Sequence, residues 1–326
     1  MICIFTEAGG SSGFGHLTRC LSLYDECVSR GLEAKLIINA FSELPDSIGE
    51  RVVHLCDWLD LTFLQGLINS GDYAIIDSYL APNEAYDLIS RTCVNAVFID
   101  DYIRLSYPKG VVVSPSLYGD RLPYPKTPGV CFFGGPDYII LRSEFLEPVC
   151  IKPEPTIKPA NSEPSHFLIT MGGTDIFKLT APVLSVICKE FPDSKKSVVL
   201  GSGTFDKNVI SEAADKSTEF FVSLDAKKMR DIMIQADFAI TAAGQTIHEL
   251  LRCGVSMIPI LVADNQRLNI RGLENLGFSH INALDKTLDP DAINWKSLVA
   301  KTPRLAPMTF EGHRNIIDIL IKGTKL

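Results

Sequence analysis

Short apolar runs rich in β-branched residues recur along the chain, and stretches with helical spacing separate them. In the first half the runs are ICIF (2–5), AKLIIN (34–39), YAIID (73–77), NAVFID (95–100), GVVVSPS (110–116) and GVCFFGG (129–135). HFLITMGG (166–173), SVVLGSG (197–203), EFFVSL (219–224), FAITAAG (238–244) and SMIPILV (256–262) continue the series. After the first run, Leu17, Cys20, Leu21, Tyr24, Cys27 and Val28 form an apolar helical face, and Gly31 ends it. Further helices are expected from about 178, 226, 246 and 266. Continuous apolar strands alternating with amphipathic helices indicate a mostly parallel sheet covered on both faces. The fold class is therefore α/β and doubly wound.

A chain of 326 residues is too long for one ordinary core and suits two domains. The segment PVCIKPEPTIKPANSEPS (148–165) holds five prolines, which no helix or central strand accommodates. Domains are expected at 1–150 and 166–310, with a linker over 151–165. Two such domains are expected to face a cleft. The last stretch, TFEGHRNIIDILIKG, reads as a helix over 311–326 that crosses back to brace the first domain.

The formal net charge of −8 argues against a nucleic-acid partner, which favours a basic face. No run of 18 apolar residues is present, so no membrane insertion is expected, and the N-terminus does not read as a signal peptide. Nine scattered cysteines without a C-x-x-C read as a reduced, cytoplasmic protein. The six histidines show no zinc spacing, so neither a metal nor a cofactor is expected. The oligomeric state is left open, with a monomer favoured.

In doubly wound sheets ligands bind beyond the carboxyl ends of the strands. Three loops of the second half stand out there: MGGTD (171–175), AAGQT (242–246) and ADNQ (263–266). Glycine lets backbone approach a ligand, and free N–H groups at a helix start attract anions. Each loop could equally be a plain turn. Glu249 lies one turn into its helix, where a carboxylate can accept two ribose hydroxyls or close a T-x-x-E capping box. In the first half, His16 follows Gly13-Phe14-Gly15 at the first turn of a helix. The helix N-terminus disfavours imidazolium, so the ring is expected neutral and ready to act as a general base. A capping or buried structural histidine is the alternative. IIDSY (75–79) and FIDDY (98–102) place Asp77, Tyr79, Asp100 and Asp101 at strand ends, suited either to a sugar or to ordinary capping. Arg142 reads as structural.

These stretches, in this order, resemble one family over nearly the whole chain. GFGHLTRC is similar to the G-x-G-H-x-x-R signature of the hydrolases that act on UDP-2,4-diacetamido-2,4,6-trideoxy-β-L-altropyranose in pseudaminic acid biosynthesis. IIDSY, FIDDY, YIILRSEF, MGGTD, AAGQTIHELLRCG and ADNQRLNIRGLENLGF resemble its other blocks. The family is related to spore-coat polysaccharide proteins and to GT-B glycosyltransferases, so the resemblance implies a GT-B fold. It implies His16 as the base that activates water for inverting attack at the anomeric carbon. It also implies Tyr79 at the sugar, Asn265 near sugar and phosphates, and Glu249 on the ribose. Gly172, Gly173, Thr174, Ala243, Gly244, Gln245, Thr246 and Gln266 would line the nucleotide, with Gly13, Gly15, Arg19 and Asp77 on the substrate's other side. Position 78 is serine where some relatives carry histidine.

Two rivals remain. An inverting glycosyltransferase can use a histidine in this loop to deprotonate an acceptor hydroxyl. A non-catalytic nucleotide-sugar binder needs the glycine loops and Glu249 but not His16.

Overall fold

The computed structural model describes residues 1–9, 14–146, 163–201, 203, 206–286 and 288–323. The chain forms two units, one of Met1–Ser143 with Phe310–Leu326 and one of Glu144–Thr309. Most of the proline-rich segment, at 147–162, lies outside the described residues.

The first unit contains β1 (Ile2–Ala8), α1 (Gly15–Ser29), β2 (Ala34–Ala40), β3 (Val53–Leu55), α2 (Leu61–Leu67), β4 (Tyr73–Asp77), α3 (Asn83–Thr92), β5 (Asn95–Ile99), β6 (Gly110–Ser114) and β7 (Val130–Gly134). Among the described residues these strands make one parallel sheet, ordered β3-β2-β1-β4-β5-β6-β7. Alternate side chains of each strand feed two cores. On one face Ile2, Ile4, Ile75 and Val97 pack with Leu17, Cys20 and Leu21 of α1. On the other, Cys3, Phe5, Ile76 and Phe98 pack with Trp58, Leu64, Tyr86 and Ile89. The expected apolar face of α1 is buried, except that Val28 is 51% exposed, because the helix is ending there.

The second unit contains β8 (His166–Thr170), α4 (Thr180–Glu190), β9 (Lys195–Leu200), α5 (Lys207–Glu212), β10 (Thr218–Val222), α6 (Ala226–Gln235), β11 (Phe238–Ala242), α7 (Thr246–Arg252), β12 (Ser256–Leu261), α8 (Arg267–Asn275), β13 (Ile281–Asn282) and α9 (Trp295–Lys301). Its strands are parallel in the order β10-β9-β8-β11-β12-β13.

The last helix, α10 (Gly312–Lys322), packs in the first unit. Ile316, Ile317 and Leu320 are fully buried in the core that α1 lines. Asn95 Nδ2 donates to the carbonyls of Ile319 and Leu320 at 3.3 and 2.9 Å, two of the helix's last four acceptors. Gly312 lies against Tyr138 and Ile139, where a Cβ would stand 2.3 Å from the Ile139 carbonyl oxygen.

Both sheets change winding direction once. In the first, β1 lies between β2 and β4; in the second, β8 lies between β9 and β11. Such a reversal opens a crevice at the carboxyl ends of the two central strands. In the first sheet the adjoining segments carry His16 and Asp77–Tyr79; in the second they are MGGTD and AAGQT.

Candidate active site

The reversal of the first sheet gathers His16, Arg19, Asp77, Tyr79 and Asp101. Strand pairing ends with Thr6 opposite Asp77, so the β4 exit lies beside the end of β1, the strand that precedes α1. His16 and Arg19 are one turn apart on α1 and point the same way. His16 Nδ1 lies 2.6 Å from Asp77 Oδ1. Arg19 forms a two-pronged pair with Asp77, Nε to Oδ2 and Nη2 to Oδ1, both at 2.8 Å. It forms a second with Asp101, Nη1 to Oδ1 at 2.7 Å and Nη2 to Oδ2 at 3.1 Å. Tyr79 donates its hydroxyl to Asp101 Oδ2 at 2.5 Å and stands edge-on to the His16 ring, centroids 4.2 Å apart.

These bonds fix the histidine's tautomer. A carboxylate only accepts, so Nδ1 carries the proton and donates to Asp77. The 3.1 Å approach of Arg19 Nη2 to Nδ1 is then a contact between two donors, each directed at a carboxylate. The lone pair is left on Nε2. The residue is only 5% exposed, yet Nε2 has no hydrogen-bond partner among the described residues and is not among the sealed polar atoms. The open nitrogen is therefore the basic one.

The electrostatics correct one expectation. A helix N-terminus was expected to keep the ring neutral. Burial does oppose its charge, but Asp77 outweighs burial through its charge and hydrogen bond. Arg19 opposes and Asp101 assists, and the net pKa of His16 is raised above its ordinary 6.5. Burial also opposes ionisation of Asp101, but Arg19 holds that carboxyl down at about 2. Burial and the Asp101 charge push the Tyr79 phenol upward, so it stays a neutral hydroxyl.

Arg19 and Asp77 were expected on the substrate. Arg19 is buried and its donors face Asp77 and Asp101; Asp77 is 1% exposed and faces His16 and Arg19. Asp100 serves the loop itself, accepting from the backbone N–H of Tyr102 and Arg104 and from the Tyr124 hydroxyl. Gly15 is exposed at the start of α1, and Gly13 lies outside the described residues.

The loops of the second unit differ from one another. MGGTD packs backbone to backbone against the loop after β9: Gly203 N donates to the Gly173 carbonyl at 3.0 Å, and a Cβ on Gly201 would lie 2.3 Å from that oxygen. Gly172 adopts φ +81°, the left-handed region glycine favours. Gly173 and Thr174 are exposed. Free N–H groups were expected at the start of the following helix, but two of the N–H groups there are already taken. Asp175 accepts from Leu179 N and Thr180 N, both at 2.8 Å, and places its own carboxylate there. A small pocket lined by Met171, Gly172, Gly173, Asp175, Gly201 and Gly203 lies beside it.

AAGQT and ADNQ lie side by side. Gln266 Nε2 comes within 3.9 Å of where a Gly244 Cβ would sit, and Gln266 Oε1 accepts from Val262 N at 3.1 Å. Asn269, which the sequence reading missed, ties α8 to this pair by donating to the Ala243 carbonyl at 2.9 Å. Its signal was its place one turn beyond Asn265. Gly244, Gln245 and Thr246 are half-buried, while Asn265 is exposed on the turn Asp264–Gln266. Helix α7 begins after Gln245, whose side chain makes no cap bond, so Thr246 lies inside the helix and is not the N-cap of the capping box considered as the alternative. Glu249 is buried, 6% exposed.

No family model matches the chain. An uncharacterized protein of Methanocaldococcus jannaschii is 27% identical over 306 residues, covering 89% of this chain and 62% of that protein. The Helicobacter pylori pseudaminic acid cytidylyltransferase and UDP-2,4-diacetamido-2,4,6-trideoxy-β-L-altropyranose hydrolase is 23% identical over 287 residues, 87% of this chain and 48% of that protein. The spore coat polysaccharide biosynthesis protein SpsG of Bacillus subtilis is 24% identical over 332 residues, 97% of this chain and 93% of its own. The chain thus spans about half to two thirds of the first two relatives. The resemblance read from the motifs is borne out.

Similar solved structures include MurG of Acinetobacter baumannii, with a TM-score of 0.63, 12% identity and coverage of 98% of this chain and 99% of that one. A putative UDP-N-acetylglucosamine 2-epimerase of Listeria monocytogenes has a TM-score of 0.59 at 12% identity, covering 99% and 97%. The calicheamicin glycosyltransferase CalG4 has a TM-score of 0.51 at 13% identity, covering 97% and 94%. The fold is GT-B, as the resemblance implied. No helix among the described residues is long and apolar enough to cross a membrane.

Proposed function

We propose that the protein hydrolyses a UDP-linked diacetamido-trideoxyhexose at the anomeric carbon–oxygen bond, with inversion, releasing UDP and the free sugar. The relatives and the fold support a sugar-nucleotide-processing enzyme. The observation that carries the finer reading is the His16–Asp77 pair, closed at Nδ1 and open at Nε2.

In this reading Nε2 takes a proton from one water molecule as its oxygen attacks the anomeric carbon. The bond from that carbon to the phosphate oxygen breaks, and its electron pair leaves with UDP. The proton on His16 then passes to solvent. Asp77 holds the ring in its reactive tautomer and stabilises the transient imidazolium. Arg19 locks Asp77 to Asp101 and acts as a positioning residue. Tyr79 spends its proton on Asp101, so its oxygen is free to accept a hydrogen bond from the sugar or the water. UDP is already a stable anion, so the leaving side needs mainly electrostatic support. The second unit supplies the nucleotide contacts: Gly172, Gly173, Thr174, Ala243, Gly244, Gln245, Thr246 and Gln266, with Glu249 on the ribose and Asn265 toward the sugar.

Turnover of the UDP-sugar in ¹⁸O-labelled water tests the reading. One label is expected on the free sugar and none on UDP, with no acceptor added. Label on UDP means attack at phosphorus, and release that requires an added acceptor means a transferase; either result rejects the proposal.

A further inference from the structure

We propose that Glu7 is a positioning residue that holds Tyr79 in place from beneath. Glu7 lies near the end of β1 and is fully buried. Its two carboxyl oxygens each accept one bond from the β4 exit. Oε1 accepts from the backbone N–H of Tyr79 at 2.6 Å, and Oε2 accepts from the Ser78 hydroxyl. The paired register of β1 and β4 stops at Thr6 opposite Asp77, so the Glu7 side chain carries the strand-to-strand connection two residues further.

The rest of the turn converges on the same residue. Ser78 Oγ accepts from Leu80 N at 3.1 Å and Ala81 N at 2.9 Å, which uses its lone pairs. Arg104 Nη1 donates to the Tyr79 carbonyl at 3.3 Å. The peptide groups on both sides of Tyr79 are therefore held, and its hydroxyl is held by Asp101. A tyrosine placed this way has little rotational choice left. Glutamine at position 7 presents one acceptor and one donor where two acceptors are needed. Ser78 cannot accept a third bond, so the amide satisfies either Tyr79 N or Ser78 Oγ, not both. Ser78 is committed to this clamp and does not serve as a substrate contact.

The structural part of this proposal stands on the geometry alone, and its kinetic part rests on the hydrolytic reading. The experiment compares wild type, Glu7→Gln, Tyr79→Phe and the double variant. Proton NMR reads the Tyr79 hydroxyl in its short bond to Asp101, assigned as the far-downfield resonance missing from Tyr79→Phe. It is expected to shift upfield or broaden away in Glu7→Gln. UDP release then gives kcat and KM. Glu7→Gln should lower kcat about tenfold or more with KM changed less than about threefold, and should cost less than about twofold in the Tyr79→Phe background. Independent, multiplying losses overturn the proposal, because Glu7 would then not act through Tyr79. If Glu7→Gln does not fold, Ser78→Ala is expected to show the same NMR change in smaller measure, and an unchanged resonance there overturns it. If wild type releases no UDP, the hydrolytic reading fails while the hydroxyl resonance still decides the role of Glu7.

Discussion

His16 and Asp77 are 61 residues apart in sequence and 2.6 Å apart in space. The sign of the histidine's titration follows from that pair. Its pKa is raised above 6.5, mainly because Asp77 outweighs burial. Below the pKa the ring is protonated and cannot accept a proton from water. UDP release should therefore rise with pH through a value above 6.5 and then level off. Asp77→Asn removes the charge that raises the pKa and leaves burial to lower it. The rising limb should move to lower pH, and the plateau should fall by about 10²–10⁴. A pH–rate profile of both proteins checks this; a limb that stays in place contradicts the pairing. At this scale the sequence discloses the histidine, since a glycine loop running into a helix is a local pattern. It does not disclose Asp77, Asp101 or Glu7 as partners, because those depend on which strands lie side by side. A T-x-x-E motif was equally uninformative: the cap falls at Gln245, one residue earlier than a capping box requires.

Strands β1, β4, β5 and β11 start where their apolar runs start, because buried parallel strands are continuous in sequence. Short edge strands such as β3 and β13 carry no such run. The two glycine loops of the second unit, MGGTD and AAGQT, look alike in sequence but not in structure, because Asp175 accepts from the N–H groups of Leu179 and Thr180 at the start of α4, while the N-cap of α7, Gln245, makes no side-chain cap bond. Helix α10 is legible as a helix from its apolar spacing. Its packing is an element-scale property with a measurable cost. Leu320 is fully buried against the core that α1 and β1 share. Leu320→Ala should lower unfolding stability by about 2–5 kcal/mol. Chemical denaturation measures this, and a loss below about 1 kcal/mol would mean that α10 contributes little to that core.

At the scale of the whole molecule, two open parallel sheets each reverse direction once, and the residues singled out for chemistry gather at the ends of the strands around each reversal. That convergence is a property of the topology, so loops that follow strands can be singled out without knowledge of side-chain contacts. The sequence alone does not disclose the division of labour among the loop carboxylates, where Asp175 serves a helix and Asp77 the histidine. The most direct test is UDP release from a UDP-linked diacetamido-trideoxyhexose, without acceptor, by wild type and by His16→Phe. The account predicts steady release of UDP and free sugar by wild type, and a rate lower by about 10²–10⁴ in a variant that melts as wild type does. Near-wild-type release by the folded variant would contradict it.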